Sequence, residues 1–271
     1  MEANTHRLHH WALTGGFIAF TFAIWMLFFP DWVEPYFAWD AHPRLTQAFI
    51  GAGYIFRTGF FFSIWRERSW HRLRWTFWGN MVFTGALLLA TFWHVEDFGW
   101  FKPVAIVLAH LWVFLYVVEP VSMVFWAPRG PASKAEPPVS YGPIHSGLKF
   151  LLVTEVAVLG TFGALLVINP KFLETRWMWS LVDNALDARI VAAWFLGWAT
   201  WAGTMAFARD WDEIRIGVQL NILFGLALIG TFIAFLPLFN LSQRQTGAYV
   251  IVTILMTAAL LFFYWRQERM A

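Results

Sequence analysis

The chain has 271 residues, of which 59% are hydrophobic and 13% charged, with a formal net charge of +2. A soluble domain carries about 25% charged residues, so this composition excludes an ordinary soluble protein and points to the integral-membrane class. The lack of cysteine excludes disulfides, thiolate metal sites, iron–sulfur clusters and cysteine nucleophiles, and no Gly-rich phosphate loop or basic tail points to nucleic acid.

In chain order, eight apolar segments are long enough to span a bilayer: 11–29, 45–65, 75–94, 104–126, 148–168, 189–208, 216–236 and 247–265. Each has about 18 to 23 residues, which matches a hydrocarbon core of ~30 Å. The first is long for a signal h-region and no small-x-small cleavage site follows it, so it reads as a retained helix. Pro30, Pro103, Pro120, Pro170 and Pro237 fall at or near segment ends, where helices start or stop.

The one obvious linker lies between the fourth and fifth segments. It begins "APRGPASKAEPPVSYGP" and has no apolar period. The expected organisation is a first four-helix membrane unit over 1–126, a Pro-rich cytoplasmic linker over 127–147 and a second unit over 148–271. The fold class expected is all-α, with eight transmembrane helices as two similar four-helix units in parallel repeat.

The repeat rests on paired motifs. "FPDWVEPYFAW" at 29–39 resembles "NPKFLETRWMW" at 169–179, which sets Glu34 opposite Glu174 and Trp39 opposite Trp179. "RSWHRLRWTFWGNMVF" at 68–83 resembles "RDWDEIRIGVQLNILF" at 209–224, which sets Arg68, Asn80 and Phe83 opposite Arg209, Asn221 and Phe224. The second and sixth segments share a spacing of small residues, Ala48 and Ala52 against Ala193 and Gly197, which lets membrane helices approach closely. Four helices per unit give both copies the same orientation.

Lysine and arginine set the expected orientation. The two termini and the loops at 66–74, 127–147 and 209–215, with Lys149, hold Arg7, Arg66, Arg68, Arg72, Arg74, Arg129, Lys134, Arg209, Arg215, Arg266 and Arg269. The opposite side holds only Arg44, Lys102, Lys171, Arg176, Arg189 and Arg244. This bias places both termini in the cytoplasm of a cell membrane. Helical spacing of Trp32, Tyr36 and Trp39 puts them on one face, and with Trp177 and Trp179 they read as an interfacial aromatic belt, the sharper alternative being a lid over a lipid- or quinone-like site.

The remaining charge, Arg57, stands inside the second segment, about 12 Å deep at 1.5 Å per residue. Glu119 and Glu155 fall about 10 Å deep from the same face, and Asn80, Asn221 and Gln219 fall near that level. Such a charge costs ~2.5–3.5 kcal/mol at a helix centre, so Arg57 is expected to face the interior and meet Glu119 first, Glu155 second. Arg57, Asn80, Glu119, Glu155, Gln219 and Asn221 form one expected polar layer, either a packing network or an ion or proton relay.

Among the histidines, His6, His9 and His10 form a weak terminal cluster. His94 and His110 flank the turn before and after Lys102 and would lie at similar depth, where facing imidazoles could ligate haem, a chlorophyll-type pigment or a metal. No Ser-His-Asp order or HExxH occurs, and no lysine lies mid-segment for a retinal Schiff base.

The function expected is a non-catalytic polytopic membrane subunit or scaffold acting through lateral helix, lipid or pigment contacts. Its partners would be membrane lipid and other membrane subunits or further copies of itself. The first alternative is a small-solute, ion or proton transporter centred on Arg57, Glu119 and Glu155. The second is a haem- or pigment-binding redox protein using His94 and His110. The cofactor expected is bound lipid ahead of haem or a chlorophyll-type pigment.

Overall fold

A computed structural model describes residues 2–67, 69–126, 142–173, 176–179 and 185–270, with the backbone alone for 2–9 and Trp126. The described residues are helical and contain no strand beyond two isolated bridges. The long helices are α1 (Glu2–Phe28), α2 (Arg44–Arg66), α3 (Thr76–Trp93), α4 (Ala105–Trp126), α5 (Ser146–Ile168), α6 (Ala185–Ala206), α7 (Trp211–Ala234) and α8 (Arg244–Glu268).

Several helices run past their apolar windows. α1 begins at Glu2 rather than at 11, α5 at Ser146 rather than 148, and α7 at Trp211 rather than 216. The starts of α5 and α7 have local causes. The His145 side chain accepts from Gly147 N, and the Asp210 side chain accepts from Asp212 N, so each caps an otherwise open N–H. The linker therefore ends before 146. Pro120, expected at a helix end, lies inside α4, whereas Pro30 and Pro170 open short helical turns, where no N–H is needed. The linker residues 127–141, Arg68, Arg129, Lys134 and Glu174 lie outside the described residues, as do the side chains of His6, Arg7 and His9.

Six of these helices are long and apolar enough to cross a membrane: α1, α2, α4, α5, α7 and α8. α3 and α6 fall outside that group; α3 carries Asn80 with Thr and Trp side chains, and α6 carries Asp187 and Arg189 with Thr and Trp side chains. They sit where that composition suits, packed on each other and on the rest of the bundle. α6 buries most of its length, so few of its side chains face outward.

The strongest contacts join α1 to α2 and α5 to α6, then α3 to α6, α2 to α7, α7 to α8 and α3 to α4. α5 touches α8 and α1 touches α4 more lightly. Nearest neighbours therefore run α1, α2, α7, α8, α5, α6, α3, α4 and back to α1. The contacts between chain halves cross over, with α2 on α7 and α3 on α6.

Glycine makes these crossings close. A Cβ on Gly79 of α3 would lie 2.1 Å from the Trp201 ring of α6, and one on Gly197 of α6 would lie 2.8 Å from Phe83 of α3. The core between them is aromatic: Trp198 lies 4.3 Å from Phe56, and Phe83 lies 4.4 Å from Trp194, centroid to centroid. Without water, such packing supplies the contact energy between helices.

The two ends of the bundle carry different polar ties. At the linker end, Arg72 reaches Asp212 at 2.9 Å and Glu67 at 3.3 Å, Arg74 pairs with Glu213, and Arg215 pairs with Glu268 at 2.7 Å. The hydrogen bond to Asp212 raises the Arg72 pKa above its ordinary value. At the far end, Gly99 N donates to Ala38 O, and Trp39 N–H donates to Asp187 across 148 residues of sequence. Trp39 is thus a core residue, while Trp32 and Tyr36 are exposed. The expected common face for these three does not form, because the helix at Val33–Tyr36 stops before Trp39. Trp177 and Trp179 are likewise buried rather than part of a belt.

Candidate functional site

The expected polar layer divides into two clusters. In the first, Arg57 of α2 is 2% exposed. Its Nη1 donates to Asn80 Oδ1 of α3 at 2.5 Å, and its Nη2 pairs with Glu119 of α4. Asn80 Nδ2 donates to Met123 Sδ. The rings of Phe60, Phe61 and Phe83 lie 4.6, 4.5 and 5.2 Å from the guanidinium, and the Tyr54 and Tyr116 hydroxyls meet at 3.2 Å. Charge, hydrogen bonds and ring faces thus satisfy Arg57 without water.

The second cluster has no arginine. Asn221 Nδ2 of α7 donates to Glu155 Oε2 of α5 at 2.7 Å, and both residues are 7% exposed. Glu155 does not join Arg57, which corrects the expectation of one layer. Gln219 belongs to neither cluster, since it donates to Tyr264 OH near the linker end.

Glu155 and Asn221 line a cavity of about 710 Å³. Its walls come from α5, α6, α7 and α8, with Phe49 of α2. Most are aromatic or aliphatic, including Phe162, Phe195, Trp198, Phe224 and Tyr249. Arg176, Trp177, Trp179 and Gln245 line its far end. Val158 and Phe162 of α5 and Val252 and Leu255 of α8 line it too and are also exposed. The lightly packed α5–α8 seam is therefore its side opening. Arg57, Asn80 and Glu119 are absent from its lining.

Two wall residues hold unused donors. The indole N–H groups of Trp177 and Trp198 are buried and find no hydrogen-bond partner among the described residues. By contrast Trp179 N–H donates to Thr46 Oγ1 at 3.0 Å. A chamber of this size, mainly apolar with few polar groups, has the form of a small-molecule site.

The histidines do not face each other. His94 Nδ1–H donates to Asp97 at 2.9 Å and its Nε2 meets Arg189. His110 Nδ1–H donates to Ile106 O, and its ring stands edge-on to Trp100. With both His94 nitrogens occupied and His110 turned to its own helix, the expected facing pair is absent. Glu34, Asp40 and His42 bring ligand atoms within 4.8 Å of one another, and both carboxylates lie 3.4 Å from His42 Nε2, which accounts for their grouping.

Sequence reading missed Asp187. It is fully buried and accepts from Trp39 Nε1 and His42 N. In sequence it is an ordinary acidic residue in a first helical turn, and only the fold brings Trp39 to it. It also missed Trp198 and Tyr249 as chamber walls, since five helices distant in sequence contribute to that chamber.

The chain matches no family model, no curated protein and no solved structure.

Proposed function

We propose that this chain is an integral membrane protein of eight spans, built from two similar four-helix units in parallel repeat, with both termini cytoplasmic. The neighbour order supports the repeat: advancing every helix by four places carries the ring of contacts onto itself. The Lys and Arg distribution supports the orientation. α3 and α6 complete the spans, with α6 among the most buried helices.

Within that frame the protein is non-catalytic and acts by holding a membrane amphiphile, alone or as a subunit of a larger complex. The observation that carries this reading is the 710 Å³ chamber open along the α5–α8 seam with Glu155 and Asn221 in its wall. A soluble substrate would need a wet route, whereas an amphiphile reaches this opening from the bilayer itself. The Arg57 cluster is read as packing glue, since its charge is already matched by Glu119.

The test is native mass measurement of the untagged chain extracted in mild detergent, followed by organic extraction. One retained amphiphile per chain supports the reading, and additional polypeptides on the particle identify it as a subunit. A chain free of bound amphiphile, with every variant of the chamber wall indistinguishable from the parent, overturns it.

A further inference from the structure

The chamber's polarity is arranged unusually for a lipid site. In a site for an ordinary diacyl lipid, the headgroup stays at the surface and hydrocarbon fills the interior. Here a carboxyl and an amide, Glu155 and Asn221, lie inside, nine or ten residues from the linker-end starts of α5 and α7 and far from either helix end. An acyl chain would leave that carboxyl against hydrocarbon with Asn221 as its one hydrogen-bond donor, an expensive arrangement.

A ligand that enters polar end first removes the difficulty. A hydroxyl on its inner end donates to Glu155, and an oxygen acceptor takes the unused N–H of Trp198, whose buried indole, 2% exposed, turns toward the ligand to offer it. The walls favour a flat ring, because Phe195, Trp198 and Phe224 line the same chamber as Asn221. The open seam, flanked by Val158, Phe162, Val252 and Leu255, leaves room for an aliphatic tail to stay in the bilayer.

We propose that the chamber binds the ring of an uncharged quinol-type lipid, head inward, with its hydroxyl on Glu155 and its tail leaving between α5 and α8. This inference rests on the chamber reading above and adds the ligand's class and direction of entry.

The test uses the full chain in phosphatidylcholine nanodiscs under anaerobic conditions, titrated with a benzoquinol carrying a decyl tail and read by tryptophan fluorescence. Saturable binding is expected. Glu155→Gln should weaken it about tenfold, the scale of one charge-assisted hydrogen bond. Trp198→Phe, which keeps a ring and removes the N–H, should weaken it by about threefold or more. Val252→Trp plugs the seam from an exposed position and should abolish binding while thermal unfolding stays at the parent value, so loss of the site is separated from loss of the fold.

Phosphatidylglycerol is the competing probe. If it displaces the quinol, and Glu155→Gln leaves quinol affinity unchanged, the ring-headed class is overturned while the chamber reading stands. If neither probe binds and no amphiphile co-purifies, both are overturned.

Discussion

Asn80 and Asn221, which the proposed repeat aligns, meet opposite chemistry. Asn80 accepts from the Arg57 guanidinium, whereas Asn221 donates to the Glu155 carboxylate. The same amide thus serves a filled ion pair in one half and the wall of a cavity in the other. The position matching Arg57 through the small-residue pairs of α2 and α6 is Ala202, which is fully buried. On the proposed alignment, the Glu155 cluster lacks the guanidinium that fills the Glu119 cluster.

Arg57→Leu should destabilise the chain by about 3–5 kcal/mol, the effect of leaving one buried partner uncompensated. Glu119 is the group left behind, at 7% exposure. Adding Glu119→Leu should restore most of the loss, because two apolar side chains can replace a buried pair at little cost. Thermal unfolding of the full chain in detergent measures both. A single variant as stable as the parent removes the pairing from any account of stability.

The helical class of the fold and the burial of Arg57 were legible in the sequence because they depend on local quantities. Apolar length locates helices, and a lone charge in an apolar run demands a partner, so depth narrowed the choice to Glu119 and Glu155, and membership of the same four-helix unit put Glu119 first. The chamber was not legible. Its wall joins Phe49, Glu155, Trp198, Asn221 and Tyr249 from five helices, and no periodicity within one helix reports what another presents. His94 and His110 failed for the same reason, since similar depth fixes neither ring direction nor the arrival of Arg189 from α6. Trp39 and Asp187 show the limit most directly, for nothing local in either sequence announces a bond across 148 residues.

Asp187→Ala should cost about 1–3 kcal/mol, because it leaves the Trp39 indole and the His42 backbone N–H buried or half-buried without an acceptor. Asp187→Asn keeps an acceptor for one donor and should recover part of the loss. Unfolding temperature and near-ultraviolet dichroism, which senses the Trp39 environment, give the two readouts. Equal stability of the alanine variant would mean that water replaces the carboxylate there.

Gly79 and Gly85 lie on the same helix and should respond oppositely to a side chain. At Gly79 a Cβ would fall 2.1 Å from the Trp201 ring, which is held by donation to Thr76 O at 3.0 Å. Gly79→Val should therefore separate α3 from α6 and abolish folded yield. At Gly85 a Cβ meets nothing within 4 Å, so Gly85→Ala should be neutral or stabilise by about 0.5–1 kcal/mol. Size-exclusion yield and unfolding temperature compare them directly.

A chain divided within 127–141 should still assemble. The closest contacts between halves are α2 on α7 and α3 on α6, so neither half alone covers its most buried helix. Residues 1–134 and 135–271 expressed together should co-purify as a stoichiometric pair, while either expressed singly should be degraded or aggregate. Independent folding of both fragments would contradict the crossing arrangement.

Asn221→Ala separates the packing role of the amide from its role in the chamber. Without a ligand, Glu155 loses its hydrogen-bond donor, and the cost should be about 1–3 kcal/mol. With the decyl-tailed quinol bound, the ligand hydroxyl supplies a donor at the same carboxylate, so the stability gap between variant and parent should narrow. Asn80→Ala should show no such narrowing, because its Arg57 partner lies outside the chamber. Unfolding of both variants with and without the quinol provides the comparison. Equal responses at Asn80 and Asn221 would place the ligand's polar end away from Glu155.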